Sequence, residues 1–344
     1  MNDRSSSGVA LAPVTSREVR LVSRARGRPV LSDFEVVSTR MTALHPGQML
    51  VRNQYMSLDA YMQARMSDAG SPLPPFKLGE PLEGSAVGEV VASAVGGFAP
   101  GDAVTSMLGW REYFVASPSS VRRVDSAIRP LSAYLGVLGS TGLTAWAGLH
   151  VAGMRPHENV LVSAAAGAVG RVTGQLAKLE GCRVAGITSS REAGRMLVCD
   201  LGFDAAFGDT PAELVRELAA AAPNGIDVYF DTVGDRQLDV VLAAMRPGGR
   251  IITGEAISEL TAPSRLLNAR SRALFFSKRL TMKSFRVSDW ASLAPVFQKV
   301  VGEHLLAGRV RASETSVVGI ERAPGAFIEL LADDSLGKVL VNLF

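Results

Sequence analysis

Apolar positions along this chain change their period near residue 130. Before that point, short apolar runs alternate with turn residues, the pattern of strands. Gln48 to Asn53 follows the turn His45-Pro46-Gly47, and Ala86 to Val95 is rich in small and β-branched residues. Ala103-Val104-Thr105 follows Phe98-Ala99-Pro100-Gly101-Asp102. In that turn Pro presets φ, Gly supplies a positive φ, and Asp bonds back to the chain. Short strands at this spacing predict a small barrel-like β domain over the first ~125 residues. Beyond residue 130 strands and helices alternate. Asn159 to Ser163 is a strand, and Val169, Val172, Leu176 and Leu179 form the stripe of an amphipathic helix. Strands follow at Cys182 to Ile187, Ala205 to Phe207, Ile226 to Phe230 and Arg250 to Thr253. Helices intervene at Arg191 to Leu201, Pro211 to Ala222 and Leu238 to Met245, the last ended by Pro247-Gly248-Gly249. Such a βαβ series predicts a doubly wound parallel sheet. The fold class is therefore α/β, in two domains.

Composition narrows the function without choosing it. The 344 residues hold 36 basic and 33 acidic side chains, a net charge of +3, with both signs interspersed. The densest basic stretch, Arg17 to Arg28, is read as a solvated strand and turn, so nucleic acid is not an expected partner. Two cysteines, Cys182 and Cys199, cannot build a disulfide framework or a four-thiolate zinc site. Pro130 to Met154 carries no Asp, Glu, Lys or Arg, yet five glycines and several hydroxyls interrupt it. It is read as a buried helix and loop, and no membrane partner is expected. The polar stretch Met1 to Gly8 has no apolar core, which predicts a cytoplasmic protein with no secretory signal.

The chemistry concentrates where a buried strand enters a glycine loop and then a helix, Val160-Leu161-Val162-Ser163-Ala164-Ala165-Ala166-Gly167-Ala168-Val169-Gly170. Against the dinucleotide fingerprint, Ala165 stands at the first glycine, Gly167 at the second and Gly170 at the third. Gly167 allows the backbone to approach a pyrophosphate, with Ala168 and Val169 offering N–H groups at the helix start. Gly170 lets the helix lie close to the strand. The next strand ends in Thr188-Ser189-Ser190-Arg191 rather than in the acid, ~20 residues on, that bonds the ribose hydroxyls of NAD. Hydroxyls followed by Arg191, with Arg195 on the same helix face, suit the 2′-phosphate of NADPH. The alternative is that both arginines are plain helix-surface charges.

At this point the residues resemble the medium-chain dehydrogenase/reductase superfamily. More narrowly they are similar to its zinc-independent branch of prostaglandin, alkenal double-bond and curcumin reductases. The resemblance lies in Val51 to Met62, Leu78 to Gly84, Gly109 to Tyr113, Gly142 to Trp146, Ala164 to Gly170, Pro223 to Asp231 and Leu336 to Lys338. It implies a GroES-like β-barrel domain over residues 1–127 and 310–344, with a Rossmann domain over 128–309. It also implies an active site in the cleft between them, and a homodimer. Leu82 stands where zinc relatives carry a histidine ligand, and no cysteine precedes Cys182, so zinc is not expected.

The resemblance implies hydride transfer from NADPH to the β-carbon of an α,β-unsaturated carbonyl compound. It places Asn53, Tyr61 and Thr144 near nicotinamide and substrate, with Tyr61 either a hydrogen-bond donor to the substrate oxygen or a satisfied core tyrosine. It adds Thr232, Gly254, Ala256, Ile257, Phe285 and Val287 to the cofactor contacts, and Tyr55, Trp110 and Leu260 to the pocket for a small-molecule substrate. Departures fall at functional positions. Ala193 and Asp209 replace the lysine and tyrosine of the 2′-phosphate region, Thr232 and Ser335 replace asparagines, and Leu260 replaces a pocket tyrosine. Asp68 to Pro75, with three prolines, is read as a rigid lid or a plain loop. Two alternatives stay open: a divergent reductase or cyclase tailoring a secondary metabolite, and a cofactor-binding protein that has lost catalysis.

Overall fold

A computed structural model describes residues 9–67, 74–254, 268–332 and 337–344. Ala256, Ile257, Leu260, Ser335 and most of the Asp68 to Pro75 insert, named above for the site, lie outside those residues. The chain forms two compact units. One holds the described residues up to Leu135, those from Glu314 to Ala332, and Lys338–Phe344; the other holds Gly136–Ser313 with Gly337.

The first unit opens with a long antiparallel hairpin, β1 (Val9–Leu21) against β2 (Phe34–Leu44). These strands are longer than the short runs predicted, because regular alternation is confined to the end of β1. There Val19 and Leu21 are fully buried, and the largely buried Glu18 stands between the exposed Arg17 and the half-buried Arg20. Arg17 bonds Glu112 and Glu321, and Arg20 bonds Glu18, so two of the basic side chains of this stretch are paired with acids. A second, largely antiparallel sheet follows: β3 (Met49–Leu58), β4 (Ala86–Ser93), β5 (Ala103–Ser106), β6 (Tyr113–Ala116) and β7 (Val121–Arg123). A single turn, α1 (Met62–Arg65), follows β3. Met49, Val51, Val90, Val104 and Phe114 form its core. Gly88 is required where β4 meets a bulge in β3, since a Cβ there would stand 2.1 Å from the Arg52 carbonyl. The turn before β5 behaves as its sequence predicts, with Gly101 at φ +94° and the Asp102 carboxylate accepting from Ala99 N–H at 2.8 Å.

The second unit begins with α2 (Ser140–Ala152), most of whose residues are buried, within the uncharged stretch read as helix and loop. Among the described residues no helix is long and apolar enough to cross a membrane. The chain then alternates through β8 (Asn159–Val162), α3 (Ala168–Leu179), β9 (Arg183–Ile187), α4 (Arg191–Cys199), β10 (Ala205–Phe207) and α5 (Pro211–Ala221). It continues through β11 (Ile226–Asp231), α6 (Asp235–Ala244), β12 (Met245–Thr253), α7 (Ala269–Ser277), β13 (Thr281–Ser284) and α8 (Ala294–Leu306). The six strands pair in parallel in the order β10-β9-β8-β11-β12-β13, with β8 central. Strand β12 begins at Met245 rather than at Arg250. Pro247-Gly248-Gly249 lies inside it, at a register shift against β11. Leu161, Ile187, Phe207, Leu214, Tyr229 and Leu242 meet in the core of this unit.

The chain closes in the first unit with β14 (Glu314–Val318), α9 (Ala323–Leu330) and β15 (Lys338–Asn342), and β15 pairs with β3. Glu314 has a buried carboxylate oxygen with no hydrogen-bond partner among the described residues. Burial pushes its carboxyl above the ordinary glutamate value, against a bond from Ser132 and the charge of Lys338. The native state therefore holds a proton that the unfolded chain releases, and stability falls as pH rises from the unfolded to the folded value. Glu314→Gln should remove that loss. Thermal melts should show the variant gaining more over the parent at pH 8 than at pH 5. An equal gain at both values would contradict the assignment.

Candidate functional site

The centre of the parallel sheet is built to deliver a bare helix end to open space. Val160, Leu161 and Val162 of β8 are at most 1% exposed, so the strand is locked on both faces. The chain then turns sharply: Ala164 adopts φ +39°, Ala165 N–H bonds the Ile187 carbonyl, and Gly167 N–H bonds the Ala164 carbonyl. Gly167 is the N-cap of α3 and no side chain caps the helix. The first-turn N–H groups thus face outward with the positive end of the helix dipole. Gly170 fits the role predicted for the third glycine, since a Cβ there would lie 2.6 Å from both the Ala164 carbonyl and the Ala165 Cα. Ala165 at the first glycine position is accommodated by a partner the motif does not mention. Gly186 on β9 faces it, and a Cβ on Gly186 would meet the Ala165 methyl at 2.5 Å. Gly174 serves packing against Phe203.

Two cavities open above the C-terminal ends of these strands. The first, about 430 Å³, is bounded by Gly167, Thr188 and Ser189, and by Asp209, Val233 and Gln237. The second, about 610 Å³, shares Ser189 and Asp209 and is lined further by Ser190, Arg191 and Arg195. The structure thus brings together Gly167, Thr188, Ser189, Ser190 and Arg191. Ser190 has a structural task there: its hydroxyl accepts from Ala193 N–H and caps α4. Three arginines, Arg191, Arg195 and Arg216, stand among three carboxylates, Asp209, Glu213 and Glu217. Glu213 is engaged by the Thr210 hydroxyl and Glu217 by Gly208 N–H, whereas Asp209 has no such partner among the described residues.

Other predicted cofactor contacts lie along the same strand ends but not on these cavity walls. Thr232 ties β11 to the loop after β8: its N–H reaches Ser163 Oγ at 2.7 Å and its hydroxyl bonds the Ser163 carbonyl at 3.2 Å. Asp231, 3% exposed, accepts from Val233 and Gly234 N–H, and so shapes the turn that carries Val233 into the first cavity. Gly254 follows β12, and Phe285 follows β13, its ring filling the space beside Gly148. Val287 begins the turn after it. The Thr144 hydroxyl bonds the Ser140 carbonyl within α2. Ala168 and Val169 open α3 as expected.

In the first unit, Asn53 is 1% exposed and spends both amide protons on the Leu108 and Arg111 carbonyls, 2.9 Å each. It holds the Gly109-Trp110 loop. Trp110 is wholly buried, stacked on Phe34 and edge-on to Phe327, so its ring is part of the core and not of a pocket wall. Tyr55 is half-buried on β3, between Val87 and Asn342 of the neighbouring strands. Tyr61 follows β3, half-buried, and its hydroxyl bonds none of the described residues. Burial, and then the Asp59 carboxylate, push its phenol well above the ordinary tyrosine value. Asp59 is held by Lys338 and by the Ser57 hydroxyl.

Residues 17–124 match the family described as the N-terminal domain of oxidoreductase, and residues 168–301 that described as zinc-binding dehydrogenase. A 2-alkenal reductase (NADP(+)-dependent) of Nicotiana tabacum is 36% identical, covering 95% of this chain and 97% of its own. An NADPH-dependent curcumin reductase of Escherichia coli is 34% identical, over 94% and 95%. The crystal structure of CurA in complex with NADPH from Vibrio vulnificus superposes with a TM-score of 0.84 at 33% identity, over 95% and 99%. The chain belongs to the medium-chain dehydrogenase/reductase superfamily. Within it, the chain stands with the prostaglandin, alkenal and curcumin reductases. In such a reductase the uncapped α3 terminus fits a diphosphate, and the hydroxyls at the end of β9 fit a ribose. Val233 and Gln237 are cavity walls that the sequence reading does not name, whereas it places Asp209 in the 2′-phosphate region. The signal for both is available, since they follow the C-terminal end of β11, where open parallel sheets bind ligands.

Proposed function

We propose that this chain is an NADPH-dependent reductase of the C=C bond of α,β-unsaturated carbonyl compounds, working without zinc. The observation that carries the reading is the uncapped α3 terminus opening on a cavity of about 430 Å³, in a chain 33–37% identical over nearly its full length to NADP-dependent reductases. Bound NADPH supplies a hydride, which the enone accepts at its β-carbon. The chain's own part is to hold two flat groups in register and to stabilise the enolate oxygen as charge develops there. Tyr61 is our assignment for the hydrogen bond to that oxygen and for the proton that the α-carbon takes up. The donor chemistry does not fit a zinc ion. Leu82 is buried and has no ligand atom, and Glu83 is paired with Arg65 at 2.9 Å. Among the described residues no three His, Cys, Asp or Glu side chains gather as metal ligands.

Loss of NADPH absorbance with a panel of enals, enones and quinones tests the reading. Turnover of enals and enones is expected, and tight NADPH binding with no turnover of any compound would count against it. The choice of NADPH rests on Arg191. Arg191→Ala should raise the Kd for NADPH more than that for NADH, by a charge-assisted bond worth about 1.5–3 kcal/mol. Asp209→Asn should act oppositely and tighten NADPH, because a carboxylate on the same cavity wall repels the 2′-phosphate. Fluorescence titration of both cofactors measures each shift, and equal effects on NADH and NADPH would exclude Arg191 as the phosphate reader.

A further inference from the structure

Arg171 stands one turn into α3, and no part of the reading above uses it. Its half-buried side chain reaches back to the glycine loop, where Nε–H donates to the Ala166 carbonyl at 2.5 Å. Its main-chain N–H donates to the next carbonyl, that of Gly167, at 3.1 Å. One residue thus draws two successive carbonyls of the loop inward. Peptide units are planar, so turning the Gly167 carbonyl inward turns the Ala168 N–H outward. The peptide joining Ala166 to Gly167 is tied at both ends, because its N–H bonds the Ala164 carbonyl at 2.8 Å. That orientation matters to an anion. Ala166 lines the cavity of about 430 Å³, and a carbonyl oxygen swung into it would set a partial negative charge against a phosphate. The guanidinium is itself held from outside the loop. Nη1 donates to the Ser313 hydroxyl at 2.6 Å, and Gly337 lies so close that a Cβ there would stand 2.5 Å from Cζ. One turn further along α3, Gln175 fixes the same stretch of chain as Ser313. Arg311 N–H donates to its Oε1 at 2.7 Å, and its Nε2 donates to the Arg311 carbonyl at 3.2 Å.

We propose that Arg171 is a positioning residue for the cofactor's diphosphate: its side chain holds the Ala166 carbonyl away from the phosphates and keeps the first-turn N–H groups of α3 presented to them. Arg171 is not among the residues that line the cavity, and it acts through Ala166. The assignment rests on the NADPH reading and adds to it a residue behind the cavity wall, anchored on Ser313.

Calorimetric titration with three nucleotides tests it. NADPH and ADP-ribose 2′-phosphate both carry the diphosphate, the second without nicotinamide, and adenosine 2′-phosphate carries no diphosphate. Arg171→Met and Arg171→Ala both remove the donor, so either serves if the other fails to fold. They should raise the Kd of the two diphosphates about tenfold, the scale of one hydrogen bond to a charged group. The Kd of adenosine 2′-phosphate should stay within about twofold, because its contacts lie away from the loop. Arg171→Gln keeps an N–H as far from the backbone as Nε, and should restore NADPH affinity to within about threefold of the wild type. Full NADPH affinity in the variants without a donor overturns the assignment. So does a loss shared equally by adenosine 2′-phosphate, the mark of a general support for the fold, and so does an Arg171→Gln no better than Arg171→Met. A wild type that binds none of the three overturns the NADPH reading itself, and the assignment with it.

Discussion

Gly167→Val should yield a folded protein that has lost its cofactor, with the Kd for NADPH raised at least ~100-fold through the loss of two or more charge-assisted N–H bonds to the diphosphate. Gly167 has φ −71° and ψ 171°, an extended conformation any residue adopts, so the substitution strains no backbone. What it removes is the approach of a ligand to bare main-chain amides. Gly170→Val should fail differently. Its side chain would be driven into the Ala164 carbonyl and the Ala165 Cα, both main-chain atoms that cannot swing aside. Overpacking of that kind costs about 3 kcal/mol and should lower the melting temperature by several degrees. Calorimetric melts and cofactor titration of the two variants separate the roles. Wild-type affinity in Gly167→Val would end the assignment of the loop.

Tyr61→Phe should lower kcat for an enone about 100-fold while leaving the NADPH Kd unchanged, the effect of removing a general acid that does not touch the nucleotide. The pH profile adds a second reading. Burial and Asp59 both disfavour the phenolate, so the tyrosine pKa lies above its ordinary value and the proton stays in place across the neutral and mildly alkaline range. The wild-type rate should therefore show no tyrosine-dependent fall up to pH 10. Unchanged kcat in Tyr61→Phe would assign proton delivery to water or a ribose hydroxyl, and would leave Tyr61 as a packed residue.

Much of the parallel-sheet unit is legible in the amino-acid sequence. The stripe Val169, Val172, Leu176, Leu179 located α3, and Ala205 to Phe207 was placed as β10 residue for residue, because a short apolar run between turn residues has few other uses. The antiparallel unit was harder. The β1–β2 hairpin is legible only as a solvated strand and turn over Arg17 to Arg28, since charged residues interrupt the apolar alternation on both faces and even the buried Glu18 pairs with Arg20. The family and the glycine loop were equally legible, because a diphosphate site requires particular residues at fixed local spacing.

What local spacing cannot express is which side chains have already been spent. Trp110 belongs to a conspicuous motif, yet the fold buries its ring between Phe34 and Phe327. Ser190 follows the right strand, yet its hydroxyl closes the start of α4. Ala165 breaks the fingerprint, yet Gly186, from the neighbouring strand, makes room for it. The amino-acid sequence alone determined the strand–loop–helix that faces a diphosphate, since glycine's missing side chain and the helix dipole act within a few residues. Tertiary structure alone decided which polar groups find no partner among the described residues around it, the Gln237 Oε1 and Asp209 among them. Hydrogen bonds and burial are settled between segments that the chain brings together only when it folds.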